Sequence, residues 1–201
     1  MTGPSSDAPN GLAAVILAAG AGSRLGGVAK ALLLHGGATY LEAIARTARA
    51  VGLVDGVVIV GEPFHREVAA HARQLGLRVR VNPRPERGMA SSVALGFAAI
   101  AGGPASAAWL WPVDHPAVTA ATLRRLIAAI GDAEVAQPRH GGRGGHPPLV
   151  RSSLWPQLAA CSELPDGARG VRRAARLAAV DVDDPGVVRD VDTPADLEAL
   201  A

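Results

Sequence analysis

Aromatic residues are scarce in this chain, 3% of 201 residues, and cysteine occurs once. With so few rings, a chain that is 49% hydrophobic has to build its interior from Ala, Val, Leu and Ile, the residues of Ala-rich helices packed on Val- and Ile-rich strands. The lone Cys161 excludes an intramolecular disulfide and agrees with a reducing, cytoplasmic setting. Runs of Lys or Arg are also missing. The 20 basic and 18 acidic side chains leave a net charge of only +2, and the aromatics are not interleaved with basic residues, so nucleic acid is not an expected partner. Scattered Arg suits a small phosphorylated ligand instead. No apolar run approaches the roughly 18 residues of a membrane-spanning helix, and a membrane is not an expected partner either. The apolar stretch Leu12–Ala21 has no basic flank before it and a Gly- and Arg-bearing loop behind it, which suits a buried strand better than a signal peptide. Three catalytic signatures are absent as well: the Gly-x-Ser-x-Gly of a nucleophile elbow, the Gly-Lys-Ser/Thr of a P-loop, and any His/Cys cluster with metal-ligand spacing.

What is present is an alternation. Residues 1–10 read as a disordered leader. GLAAVILAAG, apolar on both faces as a central parallel strand is, leads into a glycine-rich loop from Gly20 to Lys30. Thr39 and Glu42 form a capping box that opens a helix to about Val51. Further strands are expected at 56–61, 77–82, 107–113, 133–137, 148–151, 179–183 and 187–191. Helices are expected at 64–75, 89–101, 119–130, 152–160 and 167–178, with a last one opened by Thr193 and Pro194. This exchange of strand and helix predicts βαβ units and a three-layer α/β/α domain over residues 11–201 around a mostly parallel sheet. The Gly- and Pro-rich part from 131 to 186 is less regular and reads as an insert that covers the site. Trp109 and Trp111 alternate with Leu110 and are expected in the core.

The first candidate site is the loop of Leu17, Ala18, Ala19, Gly20, Gly22 and Ser23, directly after the first strand. Its glycines let backbone N–H groups approach phosphate oxygens closely. Arg24 and Lys30 would add charge-assisted hydrogen bonds to those phosphates. Leu25 stands where a dinucleotide fingerprint needs its third glycine, which disfavours a nicotinamide-dependent oxidoreductase. A plain flexible strand-to-helix connection is the structural alternative. Gly88, Ser91 and Ser92 begin a helix, where they suit either an anion or ribose site or ordinary capping. Asn82 ends a strand and can meet a base edge or close a turn. Asp114 lies at the carboxyl end of a strand, where open α/β sheets bind ligands, and Asp190 and Asp192 share one face of a late strand. Each of these Asp residues also suits a turn or a helix cap.

LAAGAGSRLGGVAK resembles the signature loop of the nucleotidyltransferase superfamily that includes molybdenum-cofactor cytidylyl- and guanylyltransferases. NPRPERGMASSVALG, WPVDHPAVT, GGRGGHPPLV, DGARGV and VRDVDTPADLEAL resemble further elements of that family in the same order. The resemblance implies a Rossmann-like nucleotidyltransferase fold and a Mg²⁺-dependent transfer of a nucleoside monophosphate from an NTP, CTP favoured. The acceptor it implies is phosphorylated, such as molybdopterin, with release of pyrophosphate and with a molybdoenzyme client as a candidate partner. A sugar phosphate or other small phosphate is the alternative acceptor, and a noncatalytic nucleotide- or cofactor-binding module is the alternative class. By the same resemblance Arg24, Lys30 and Asp114 are catalytic, and Leu17 to Ser23, Asn82, Gly88, Ser91 and Ser92 meet the nucleotide. Arg143, His146 and Arg169 meet the acceptor, and Asp114 holds the metal with Asp192, or with Asp190 in its place.

Overall fold

The computed structural model describes residues 8–22 and 27–191. The chain runs through β1 (Leu12–Ala18), a short hairpin of β2 (Leu34–His35) and β3 (Ala38–Thr39), α1 (Tyr40–Arg49), β4 (Leu53–Val60), α2 (His65–Gln74) and β5 (Arg78–Val81). It continues with α3 (Met89–Ile100), β6 (Ala107–Pro112), α4 (Ala120–Ala129), β7 (Val135–His140), β8 (Arg143–Gly144) and β9 (Leu149–Arg151). It ends in α5 (Trp155–Ala159), α6 (Gly167–Ala174) and β10 (Leu177–Asp181). The N-cap half of the expected capping box is present: Thr39 Oγ1 accepts the amide of Glu42 at 3.1 Å at the start of α1.

The main sheet has the order β10-β7-β9-β6-β1-β4-β5, with β8 paired to β7. β1 is parallel to β4 and β6, β4 to β5, and β7 to β10, whereas β9 runs antiparallel to β6 and β7, and β8 antiparallel to β7. β1 separates two cores because its side chains alternate. Leu12, Ala14 and Ile16 pack with α1, α2 and α4, while Ala13, Val15 and Leu17 pack with α3, α5 and α6. The result is the three-layer α/β/α arrangement with a mostly parallel sheet. Trp109 and Trp111 are fully buried, as their alternation implies, and truncating either would remove on the order of 3–5 kcal/mol. Burial pushes the Cys161 thiol up to about 11, and its Sγ donates to the Ala90 carbonyl at 3.5 Å, so it is a packing residue. Among the described residues no helix is long and apolar enough to cross a membrane.

Three features differ from the sequence reading. The β2–β3 hairpin was not anticipated, since two-residue strands leave almost no periodic signal. The helix expected over 167–178 stops at Ala174, and its tail becomes β10, held by the amides of Glu134 and Val135 on the Arg176 carbonyl. The segment 187–191 is not a strand. Pro185–Val187 forms a 3₁₀ turn fixed by the buried Asp184, which accepts from the Gly186 amide and from the Thr119 and Thr122 hydroxyls. That turn sends the chain past the sheet instead of into it. Residues 131–186 supply β7 to β10 and both α5 and α6, so they are woven into the domain. Of the leader, Asn10 is described and its carbonyl accepts the Ser106 amide at 2.9 Å; residues 1–7 and the helix expected from Thr193 lie outside the described residues.

Candidate functional site

The chain passes from β1 outward through β4 and β5, then returns to β6 on the opposite side of β1. Such a switch point leaves a crevice at the carboxyl ends of the two strands, and ligands of open α/β sheets bind there. A cleft of about 350 Å³ occupies this place. Its lining begins with Leu17, Ala18, Ala19, Gly20, Ala21 and Gly22, continues with Lys30 and Asp114, and is closed by Phe64, Val68 and Pro85. Gly88, Met89 and Ser92, at the start of α3, form the remaining wall. No side chain caps that helix start. Gly22 has φ +59°, and a Cβ there would run into the carbonyl oxygen of Val28. Its carbonyl accepts the Gly27 amide at 3.0 Å, and no other residue replaces this glycine without strain.

Asp114 follows β6 and stands beside Lys30, with Nζ 3.9 Å from Oδ2. The next residue turns inward. His115 is buried, and its Nδ1 lies 3.3 Å from the Gly186 carbonyl, which places the ring proton on Nδ1. The Nε2 atom then faces Asp114 Oδ1 at 3.9 Å. The Val191 amide donates to the Asp114 carbonyl at 3.1 Å, so the exposed Asp190, just before it, is held near Asp114 by the backbone. Asp192 lies outside the described residues, as do Ser23 and Arg24.

A second group of polar residues adjoins His115. Its ring centroid is 5.1 Å from that of His146. His146 is fixed by its amide, which donates to the Val187 carbonyl at 2.7 Å. Gly145 has to be glycine, because a Cβ would strike the Val187 carbonyl oxygen. Burial, then the electrostatic influence of the neighbouring His115 and Arg172, push the His146 imidazole down from 6.5 to about 3, against a backbone interaction with Leu110. The folded protein therefore keeps His146 neutral, while the unfolded chain binds a proton below about pH 6.5. The unfolded state is the better proton binder from pH 6.5 down to about 3, so stability falls with pH in that window, by at most about 1.4 kcal/mol per unit from this group. His146→Gln is expected to flatten that acid limb in urea titrations between pH 7 and 4. An unchanged slope would mean that other groups govern the acid limb.

The structure brings Leu17 to Gly22, Lys30, Gly88, Ser92 and Asp114 onto one cleft. Asn82 and Ser91 are not among its lining residues. The Asn82 amide donates to Ser91 Oγ at 2.8 Å and to Ser92 Oγ at 3.0 Å, and its carbonyl accepts the Arg84 amide, which is the geometry of a closed turn. Arg143 is exposed in β8, at the tip of a hairpin, and Arg169 is exposed on α6. Sequence reasoning missed Gln137 and Arg172, which join at 3.3 Å near His146. The spacing of Arg172 from Arg169, three residues on one helix, was the available signal. It also passed over Phe64, Val68 and Pro85, whose apolar surfaces carry no motif.

The MobA-like NTP transferase domain family matches residues 14–182 of the chain. The chain is 31% identical over 188 residues to nicotine blue oxidoreductase from Paenarthrobacter nicotinovorans, covering 89% of this chain and 91% of that protein. It is 39% identical over 153 residues to molybdenum cofactor guanylyltransferase from Acidiphilium cryptum, covering 74% of this chain and 69% of that protein. A Mycobacterium tuberculosis H37Rv protein, solved in complex with manganese, superposes with a TM-score of 0.68 at 28% identity over 94% of this chain and 97% of its own.

Proposed function

This chain belongs to the MobA-like NTP transferase family and is a nucleotidyltransferase, and from that premise we propose that it transfers a nucleoside monophosphate from Mg²⁺-bound NTP, CTP foremost, to a phosphorylated acceptor such as molybdopterin. The observation that carries this reading is one cleft, at the switch point of the sheet, that holds the glycine loop, Lys30 and Asp114 together. An acceptor phosphate oxygen would attack the α-phosphorus as the bond to the pyrophosphate oxygen breaks, and both partners are anionic, so charge neutralisation and alignment are the main tasks. The backbone of Leu17 to Gly22 is suited to receive phosphate oxygens, and the uncapped start of α3 adds a favourable dipole for an anion. Lys30 is placed to meet the triphosphate from the Asp114 side. His115 orders the turn after Asp114 through its bond to Gly186 and the bond of Trp111 Nε1 to its carbonyl at 3.0 Å.

The donor set fits Mg²⁺. Among the described residues no three His, Cys, Asp or Glu side chains gather as a metal cage, and Mg²⁺ is held by one or two carboxylates with phosphate oxygens and water. Asp114 would hold it, with Asp192 or Asp190 as second carboxylate, and when bound it would neutralise the charge that builds up in transfer. Residues Arg143, His146 and Arg169 are assigned to the acceptor, on the Gly- and Pro-rich side of the site. The assay that tests this reading measures pyrophosphate release from CTP, GTP, ATP and UTP with a panel of phosphorylated acceptors. Release with CTP and a pterin phosphate is the expected result. Release only with sugar phosphates would replace the acceptor, binding without release would favour a noncatalytic module, and NAD(P)H oxidation without release would favour the chemistry named for the oxidoreductase relative.

A further inference from the structure

Arg172 is a half-buried cation. Its Nε is shielded from solvent and has no hydrogen-bond partner among the described residues, and Nη1 donates to Gln137 Oε1 at 3.3 Å. The Gln137 amide is itself oriented, because its Nε2 donates to the Gly145 carbonyl. Among the described residues no carboxylate lies within ion-pair distance of Arg172. The neighbour Arg173 shows the ordinary arrangement, exposed and 3.8 Å from Asp166. Burial, and then the charge of Arg169, hold the Arg172 guanidinium below its usual range. Burying a guanidinium beside a second one is unfavourable unless an anion arrives to compensate both. The edge not committed to Gln137, formed by Nε and Nη2, has the parallel geometry that suits two oxygens of a phosphate. The position matters too. Arg172 acts on His146, whose ring meets that of His115, and His115 stands 3.9 Å from Asp114.

We propose that Arg172, oriented by Gln137 and joined by Arg169 one turn earlier on α6, is an oxyanion-binding subsite that takes a phosphate group of the acceptor. The inference rests on the transferase reading for the word acceptor, but the anion subsite itself is testable without turnover. The probe is inorganic phosphate, titrated calorimetrically and by thermal shift into the full chain, with Arg172→Gln, Arg172→Lys and, as a surface control, Arg173→Gln. Wild type and Arg173→Gln are expected to bind phosphate and to gain melting temperature with it. Arg172→Gln is expected to lose at least tenfold in phosphate affinity while melting no lower than wild type in the absence of phosphate, since a buried charge has been removed. Arg172→Lys, which keeps the charge and loses the fork, is expected to lose at least threefold. A lower melting temperature of Arg172→Gln with unchanged phosphate affinity would overturn the proposal and leave Arg172 as a structural donor to Gln137. Absence of phosphate binding by wild type would overturn it as well. A second arm repeats the titration with Mg²⁺ and a non-hydrolysable CTP analogue at saturation: continued phosphate binding supports an acceptor subsite, and displacement shows that the triphosphate sits there instead. A chain that releases no pyrophosphate yet binds phosphate through Arg172 would sink the transferase reading alone. One that transfers normally with Arg172-independent phosphate binding would sink this inference alone.

Discussion

Asp114→Asn is expected to lower pyrophosphate release at least ~100-fold while the protein stays folded, the scale of losing one transition-state stabiliser. The amide occupies the same space, so the packing after β6 and the Val191 bond to the residue 114 carbonyl are kept. What changes is charge. Asn is a poor ligand for a hard divalent cation, and the Lys30 ammonium, 3.9 Å from Oδ2, loses its nearby carboxylate. The variant therefore has a second signature: NTP binding in the absence of divalent metal should hold or improve, because Lys30 is no longer shared, while the gain from added Mg²⁺ disappears. Stopped assays of pyrophosphate with calorimetry at two metal concentrations separate the two effects. A folded variant with near wild-type release rejects Asp114 as the metal-side carboxylate.

Lys30→Ala is expected to weaken NTP binding by roughly 1.5–3 kcal/mol, about 10- to 150-fold, the range for a charge-assisted phosphate contact. The loss should shrink from triphosphate to monophosphate and vanish for the nucleoside, since the residue meets charge and not base. Lys30 opens a 3₁₀ turn whose next residue, Ala31, is buried, so truncation at 30 leaves that turn anchored. Equal losses for CTP and cytidine would instead mean that the loop itself has misfolded. Because Lys30 and Asp114 are neighbours, the double variant should fall short of the sum of the single effects.

These expectations draw on a site that is partly legible in the sequence. Local chemistry spoke clearly in the first half: Thr39 capped α1, β1 was apolar on both faces, and Asp114 came at a strand end, all within windows of a few residues. The cleft residues Leu17 to Gly22, Lys30, Gly88, Ser92 and Asp114 were likewise readable, because a βαβ chain brings successive strand ends to one edge. The second half was harder for physical reasons. β8 is two residues long, too short for a period, and β7 continues through Pro138 beyond the strand expected at 133–137, although β9 lies where a strand was expected. The turn at Pro185–Val187 depends on Asp184 reaching Thr119 and Thr122, more than 60 residues away, which no local pattern encodes. Arg172 sits between Val171 and Arg173 in a basic stretch, and only the folded chain distinguishes the half-buried guanidinium from the exposed one. Asn82 looked available for a base, but the return of α3 brings Ser91 and Ser92 to its amide.

The contact between Gly145 and Val187 bears on how this scaffold can be diversified. Position 145 rejects every side chain because it meets backbone, and backbone cannot rotate aside as a rotamer does. A library that randomises it would return mostly damaged proteins. Four residues earlier the same hairpin turns at Gly141 and Gly142, which have φ of 56° and 78° and nothing within 4 Å of where a Cβ would stand. Space is free there and only handedness is restricted, so Asn or Asp substitutions and inserted residues are tolerated at the turn itself. Changes of sequence or length are therefore best placed at the tip, 141–142, and position 145 left untouched, since the next residue, His146, holds the Val187 carbonyl through its amide.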